Sequence, residues 1–224
     1  FNGFGYLGTL VPPPLHSNRT GRFATLVGNW PAPGLGSASS SFRESPRLQH
    51  WEDDGRGRLL LLDNHSEVSF VGTPSAFTNN SCAVPHAGGL GSCGVGQGGR
   101  MVRMGSGAVV SGFQGFAADA PTVCHPTGDP PDWPRCYTLA FYRSYDGGLT
   151  FHYASRIDHT AAMPTKVEGP TEPTLARLPN NKLLTAFRLQ SSAPLWSSYS
   201  TDEAGSWSPP FPTNAFSVWP QLLL

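Results

Sequence analysis

Glu172 and Arg188 stand sixteen residues apart, and their types and surroundings could do chemistry together. Arg188 closes the apolar run Leu183–Phe187, so its charge must reach a partner or a solvent cavity. Glu172 precedes a proline at the head of a second apolar run, Pro173-Thr174-Leu175-Ala176. A positioned carboxylate can take or return a proton. A planar guanidinium binds a carboxylate through two charge-assisted bonds, which suits Arg to an acidic ligand. The plainer alternatives are an exposed Glu before a strand and a salt bridge at a sheet edge. Arg177 has a counterpart in Arg103, which points to a repeated structural role.

Other chemistries lack their residues. The seven histidines form no H-x-E or H-E-x-x-H arrangement, so neither a metal nor a cofactor is expected. The Gly-rich stretch 88–99 lacks the Lys-Ser/Thr ending of a phosphate loop, and no helical pattern follows it; it reads as a flexible loop. No Cys has the partner spacing of a nucleophile. Lys plus Arg and Asp plus Glu balance at 15 each, which argues against nucleic acid and anionic membrane as partners. No run approaches the roughly 20 apolar residues of a spanning helix.

The elements that would position the pair are short strands joined by tight turns. Ser144-Tyr145-Asp146-Gly147-Gly148-Leu149-Thr150-Phe151 reads S-x-D-x-G-x-T-aromatic. The Ser and Asp side chains can bond nearby backbone N–H groups. Gly148 can take positive φ, and the aromatic can fold into the core. A second copy starts at Ser200, with Asp202 and Trp207 in the corresponding places; Ala204 holds the fifth position and Gly205 follows it. These turn residues read as structural.

Hairpins alternate with the turns. Met101–Met104 and Ala108–Phe113 flank Gly105-Ser106-Gly107; Pro173–Leu178 and Lys182–Arg188 flank Pro179-Asn180-Asn181. Thr138–Tyr142 and Phe151–Ile157 flank the first Asp-containing turn, and Leu195–Tyr199 precedes the second. Arg58–Asp63 and Val68–Val71 read as a buried strand and its partner. Four strands per unit at a period near fifty residues is the pattern of a β-propeller blade. The expected architecture is all-β: a six-bladed propeller of four-stranded antiparallel blades. About three and a half blades are present, opening near residues 44, 99, 173 and 217. Residues 1–40 read as irregular, and 72–99 and 115–137 as long excursions.

The four cysteines, Cys82, Cys93, Cys124 and Cys136, are compatible with two disulfides in any of three pairings. With the sequons at Asn18, Asn64 and Asn79 they tilt toward a secreted or lumenal compartment. The chain opens without Met and closes in what reads as mid-strand, so a longer parent protein is expected.

The S-x-D-x-G turns resemble the Asp boxes of the sialidase (neuraminidase) superfamily. The run from Glu172-Pro173 to Phe187-Arg188, lying between two such turns, resembles the sialidase segment that supplies a catalytic Glu and one active-site Arg. Ser217-Val218-Trp219-Pro220-Gln221-Leu222 resembles the start of the following blade. The resemblance is clear over 137–224. It implies an exo-α-sialidase that hydrolyses terminal sialic acids from glycoconjugates with retention, without a cofactor. Glu172 would activate a Tyr nucleophile beyond the C-terminus, and Arg188 would bind the substrate carboxylate. Phe42-Arg43-Glu44-Ser45-Pro46 is nearest to the family's first-Arg motif, with one inserted residue. Asp53 and Asp54 are the nearest acid/base candidates, although Asp54-Gly55-Arg56-Gly57 also reads as a hairpin turn. The chain alone is then expected to be inactive. Two other readings are a non-catalytic propeller that binds glycans or proteins, and a glycosidase or lyase of another specificity.

Overall fold

The structure is a computed structural model that describes residues 22–27, 47–53, 56, 58–78, 84–86, 89–91, 94–120, 136–217, 220 and 222. In chain order its strands are β1 (Arg22–Val27), β2 (Arg47–Asp53), β3 (Leu59–Glu67), β4 (Ser69–Val71), β5 (Val84–His86), β6 (Gly89–Gly91), β7 (Gly94–Arg103), β8 (Val109–Phe116), β9 (Thr138–Ser144), β10 (Thr150–Ile157), β11 (Thr171–Arg177), β12 (Leu183–Arg188), β13 (Trp196–Ser200) and β14 (Phe211–Pro212). One helical turn, α1 (Ser75–Thr78), accompanies them. No helix among the described residues is long and apolar enough to cross a membrane.

The strands form propeller-type blades. β11-β12-β13-β14 is a four-stranded antiparallel sheet in chain order. β7-β8-β9-β10 is a second, with β4 added parallel to β10 at its far edge. β1-β2-β3 makes a third sheet, and β5-β6 a small separate ribbon.

The two hairpins have the same turn. Gly107 N donates to Met104 O at 3.1 Å, and Asn181 N to Leu178 O at 2.9 Å. Gly107 and Asn181 both have positive φ, 92° and 62°. Asn is among the few residues with a side chain that tolerate that region. The turns also meet, because Gly105 N donates to Asn181 Oδ1 at 3.0 Å.

Side-chain alternation buries both faces of the β7–β10 blade. On β9, Leu139 and Phe141 enter one apolar cluster with Leu175, Leu183 and Phe187 of the next blade. Ala140 and Tyr142 enter the other, with Leu48, Phe77 and Phe151. A strand sandwiched this way has no solvent face for charge.

The two Asp-containing turns superpose in their hydrogen bonds. Ser144 Oγ donates to Asp146 Oδ1 at 2.7 Å and accepts Gly148 N at 2.8 Å; Thr150 N donates to Asp146 Oδ1 at 2.9 Å. In the second copy Ser200 Oγ donates to Asp202 Oδ1, accepts Ala204 N, and Ser206 N reaches Asp202 Oδ1, each at 2.8 Å. Ala204 takes φ 68° itself, in the place of Gly148 at 102°. The displaced Gly205 is therefore not the residue that makes the turn. Ala204 is fully buried, and Trp207 stacks obliquely on Phe141 at 4.3 Å while its Nε1 donates to Ser155 Oγ at 3.0 Å. The second turn thus docks on the preceding blade.

Burial pushes the Asp146 carboxyl up, but the bonds from Ser144, Thr150 and Leu149 outweigh it and hold it at about 2. Such a group stabilises the fold above its ordinary carboxylate pKa, and the contribution is lost as pH falls through about 2. Asp146→Asn is expected to cost about 1–2 kcal/mol near neutral pH. The deficit should shrink on acidification when unfolding is followed against pH; a deficit independent of pH would show that the charge of Asp146 is not what holds the turn.

Several expectations are corrected. Residues 22–27, read as irregular, form β1, because β2 supplies its ladder from Arg22↔Glu52 to Val27↔Arg47. The blade expected to open near residue 44 therefore has an earlier strand. Val68–Val71 does not partner Leu59–Asp63: β3 runs on to Glu67 against Arg47, and β4 instead takes the open edge of β10. The Leu59–Leu62 run is not uniformly buried, since β3 is an edge strand and Leu60 is 48% exposed. The Gly-rich stretch is largely strand, in β6 and β7, and two register shifts in the β7–β8 ladder absorb its missing side chains. The excursion read over 72–99 therefore contains α1, the β5–β6 ribbon and the start of β7. Cys136 is buried and disulfide-bonded. Cys82, Cys93, Cys124, Asn18, Asn79 and Trp219 lie outside the described residues, as does most of the blade expected near 217. Leu222 N comes within 3.4 Å of Thr174 Oγ1 on β11.

Candidate active site

The end of β11 nearest Arg188 is irregular for a reason written in its residues. Pro173 has no N–H to give the ladder, and the β11–β12 register shifts between Thr171 and Thr174. Glu172 sits in this bulge with φ 50°. Such a conformation costs about 1–3 kcal/mol for a residue with a Cβ and persists only where surrounding contacts impose it. Here Gln114 of β8, in the neighbouring blade, imposes it. Gln114 Oε1 accepts Glu172 N at 2.6 Å and Thr171 Oγ1 as well.

Arg188 lies opposite Thr171 at the end of β12. Its Nε donates to Glu172 Oε2 at 2.8 Å and its Nη2 to Glu172 Oε1 at 2.9 Å, a planar fork on one carboxylate. The other edge meets Glu168: Nη1 to Oε1 at 3.2 Å and Nη2 to Oε2 at 3.0 Å. Nη1 also donates to Ser191 Oγ at 3.1 Å. Glu172 and Arg188 are both more than nine-tenths buried. Burial alone would lower the guanidinium pKa; the bonds and charges of Glu172 and Glu168 more than reverse this and raise it. Arg188 thus meets two carboxylates at once.

Glu168 is held from behind. Its N donates to Leu189 O at 3.0 Å and its O accepts Tyr137 N at 2.9 Å. Gly169 follows at φ 97°, and a Cβ there would lie 2.7 Å from Tyr137 N and 2.9 Å from Tyr137 O. Gly169→Ala is therefore expected to lower stability by about 1–3 kcal/mol from the backbone conformation alone. The clash with the preceding blade adds to that, and a chemical-denaturation midpoint reads the loss. An unchanged midpoint would show that this segment relaxes freely.

The structure thus brings Glu172 and Arg188 together. Asp53 lies at the end of β2 in a different sheet, where its backbone pairs with Leu59. Arg43 and Asp54 lie outside the described residues. Ser144, Asp146, Gly148, Phe151, Ser200, Asp202 and Trp207 make turns and core contacts rather than joining the cluster. Sequence reasoning missed Glu168, Gln114 and Ser191. A signal for Gln114 was available: aligning the two hairpins through Phe113 and Phe187 places Gln114 where the next blade has Arg188. The polar residue after the strand Phe reaches the inner strand in both cases.

Fold and site together define an all-β chain of propeller-type blades with a buried Glu–Arg–Glu cluster at the end of one inner hairpin. No family model matches the chain, and no curated protein matches it. Solved structures do. A protein of unknown function from Dyadobacter fermentans matches at 10% identity over 87% of this chain and 48% of its own, with a TM-score of 0.50. A PL25 ulvan lyase, a polysaccharide lyase, matches at 14% identity over 94% and 40%, with a TM-score of 0.49. A Trypanosoma rangeli sialidase, in complex with 2,3-difluorosialic acid as a covalent intermediate, matches at 15% identity over 84% and 26%, with a TM-score of 0.46. At such identities the likeness concerns the fold, and the chain spans about half or less of each of these structures.

Proposed function

We propose that this chain belongs to a six-bladed propeller exo-α-sialidase, which removes terminal sialic acids from glycoconjugates with retention. One observation carries the reading. Glu172 is held at positive φ by Gln114 and paired through a planar fork to Arg188, at the strand ends where the motif resemblance sets a catalytic Glu and Arg. Strain of this kind is kept where a side chain must be aimed.

In this reading Glu172 takes the proton of a Tyr phenol as its oxygen attacks the anomeric carbon. A free phenol is a weak nucleophile, and a carboxylate nucleophile would be repelled by the acidic sugar. A separate Asp protonates the leaving oxygen, then activates the water that releases the sugar. Arg188 holds the sugar carboxylate; Arg43 would be a second such Arg, and Asp53 or Asp54 the acid. The substrate is a sialylated glycoconjugate, and the Cys136 disulfide is consistent with a secreted or lumenal setting.

A second reading is a propeller that binds without cutting. Its supporting observation is that every nitrogen of the Arg188 guanidinium already meets a protein oxygen. Release of 4-methylumbelliferone from its α-sialoside by the full-length protein decides between them. Turnover that Glu172→Gln abolishes supports the enzyme, and absence of turnover in the unaltered protein supports the binding module.

A further inference from the structure

Val110, Gly112 and Gln114 alternate along β8 and so share one face of it. That face meets β11 of the next blade. Val110 and Leu175 enter one apolar cluster. A Cβ on Gly112 would lie 3.5 Å from Pro173 Cβ. Gln114, more than nine-tenths buried, completes the row by accepting Glu172 N at 2.6 Å. A backbone N–H can only donate, so it is the amide oxygen of Gln114 that faces β11. The same oxygen accepts Thr171 Oγ1. The residue it holds is one that the β11–β12 ladder does not register, since the pairing passes from Thr171 to Thr174. A residue before proline ordinarily sits in the extended region, where its Cα–Cβ bond would take another direction. At φ 50° the Glu172 carboxylate instead meets the Arg188 fork at 2.8 and 2.9 Å.

Resting on the reading of Glu172 as the proton acceptor of this site, we propose that Gln114 is a positioning residue, which aims the Glu172 carboxylate through the backbone bond to residue 172 and does not itself touch the sugar. The preceding blade thus sets the direction of a group that the next blade carries. Arg188 is braced separately, by Glu168 and Ser191. Its grip on a substrate carboxylate therefore does not depend on Gln114. The effect of Gln114 falls on the chemical step and not on binding.

The test uses the full-length protein and two variants, read by turnover of the 4-methylumbelliferyl α-sialoside and by amide hydrogen exchange at residue 172. Gln114→Met keeps the length of the side chain and removes the acceptor. Gln114→Glu keeps an acceptor oxygen on a stem of the same length, and only its exchange is read, because it adds a charge. In Gln114→Met kcat is expected to fall about ten- to a hundredfold, the scale on which misplacement of a reacting group is felt, with KM unchanged. Exchange at residue 172 should quicken about ten- to a hundredfold, the size of one buried hydrogen bond lost, while the ladder amides of Thr174–Arg177 stay protected. In Gln114→Glu residue 172 should stay protected. Thermal unfolding checks that each variant is folded; should Gln114→Met not fold, Gln114→Asn, which draws the same oxygen back by one methylene, takes its place. Unchanged kcat, or undiminished protection of residue 172 in Gln114→Met, overturns the proposal. A rise in KM with exchange quickened along all of β11 overturns it in favour of a general brace between blades. Equal loss of protection in Gln114→Met and Gln114→Glu also overturns it, because filling the space and not accepting the bond would then be the role of Gln114. Absence of turnover in the unaltered protein would sink the hydrolase reading, and exchange would still decide whether Gln114 holds residue 172.

Discussion

Glu172→Gln in the full-length protein is expected to lower kcat on a fluorogenic sialoside by about 10²–10⁴-fold, the usual contribution of a positioned general base. The fold should survive it. Glutamine has nearly the same shape, so the backbone bond from residue 172 to Gln114 is retained, and Arg188 keeps Glu168 as its counter-ion. The loss should therefore appear in kcat, with a melting temperature close to that of the unaltered protein. Circular dichroism and a thermal scan on the same sample check this. Near-native turnover would remove Glu172 from the mechanism and return its strained conformation to a purely architectural role.

Arg188→Met is expected to have the largest effect on stability, about 3–5 kcal/mol, as for other buried pairs broken from one side. Methionine approximates the stem of Arg but leaves Glu168 and Glu172 buried near each other without the cation between them. Arg188→Lys should recover only part of the loss. An ammonium is a compact charge that cannot lie along two edges at once, so at best one carboxylate is served well. Urea unfolding of the three proteins gives the order Arg, Lys, Met, with Met well below the others. Turnover should follow a different pattern. Under the proposed role of Arg188 as holder of the sugar carboxylate, both variants are expected to be poor, because neither Lys nor Met can make a planar two-bond grip. Equal stability of all three would mean that the cluster is ionised differently from its geometry, and unchanged kcat/KM in Arg188→Lys would make Arg188 merely structural.

The legibility of the fold in the sequence follows the range of the forces involved. The S-x-D-x-G turns could be read because their bonds close within six residues: Ser144 to Gly148, Asp146 to Thr150. The hairpins could be read because their strands are joined by three-residue turns that repeat, Gly105-Ser106-Gly107 and Pro179-Asn180-Asn181. Their recurrence at a period near fifty residues then led to four-stranded blades. The Glu172–Arg188 pairing was also within reach, since both ends of one hairpin must come together.

What the sequence by itself determined, then, is the set of local units: two kinds of turn, the strands they join, and a Glu and an Arg at the open end of one hairpin. Tertiary structure decided how the units use one another. β4 joins β10, some eighty residues on, because that edge was unpaired. Gln114 reaches across fifty-eight residues to hold Glu172 in a conformation that the residue before a proline would not adopt alone. Tyr137 of one blade pins the loop that brings Glu168 to Arg188 in the next. These contacts lie between blades, where residues distant in sequence meet side by side. No local pattern encodes such neighbours, because their cost is set by packing and burial that exist only once the blades have stacked.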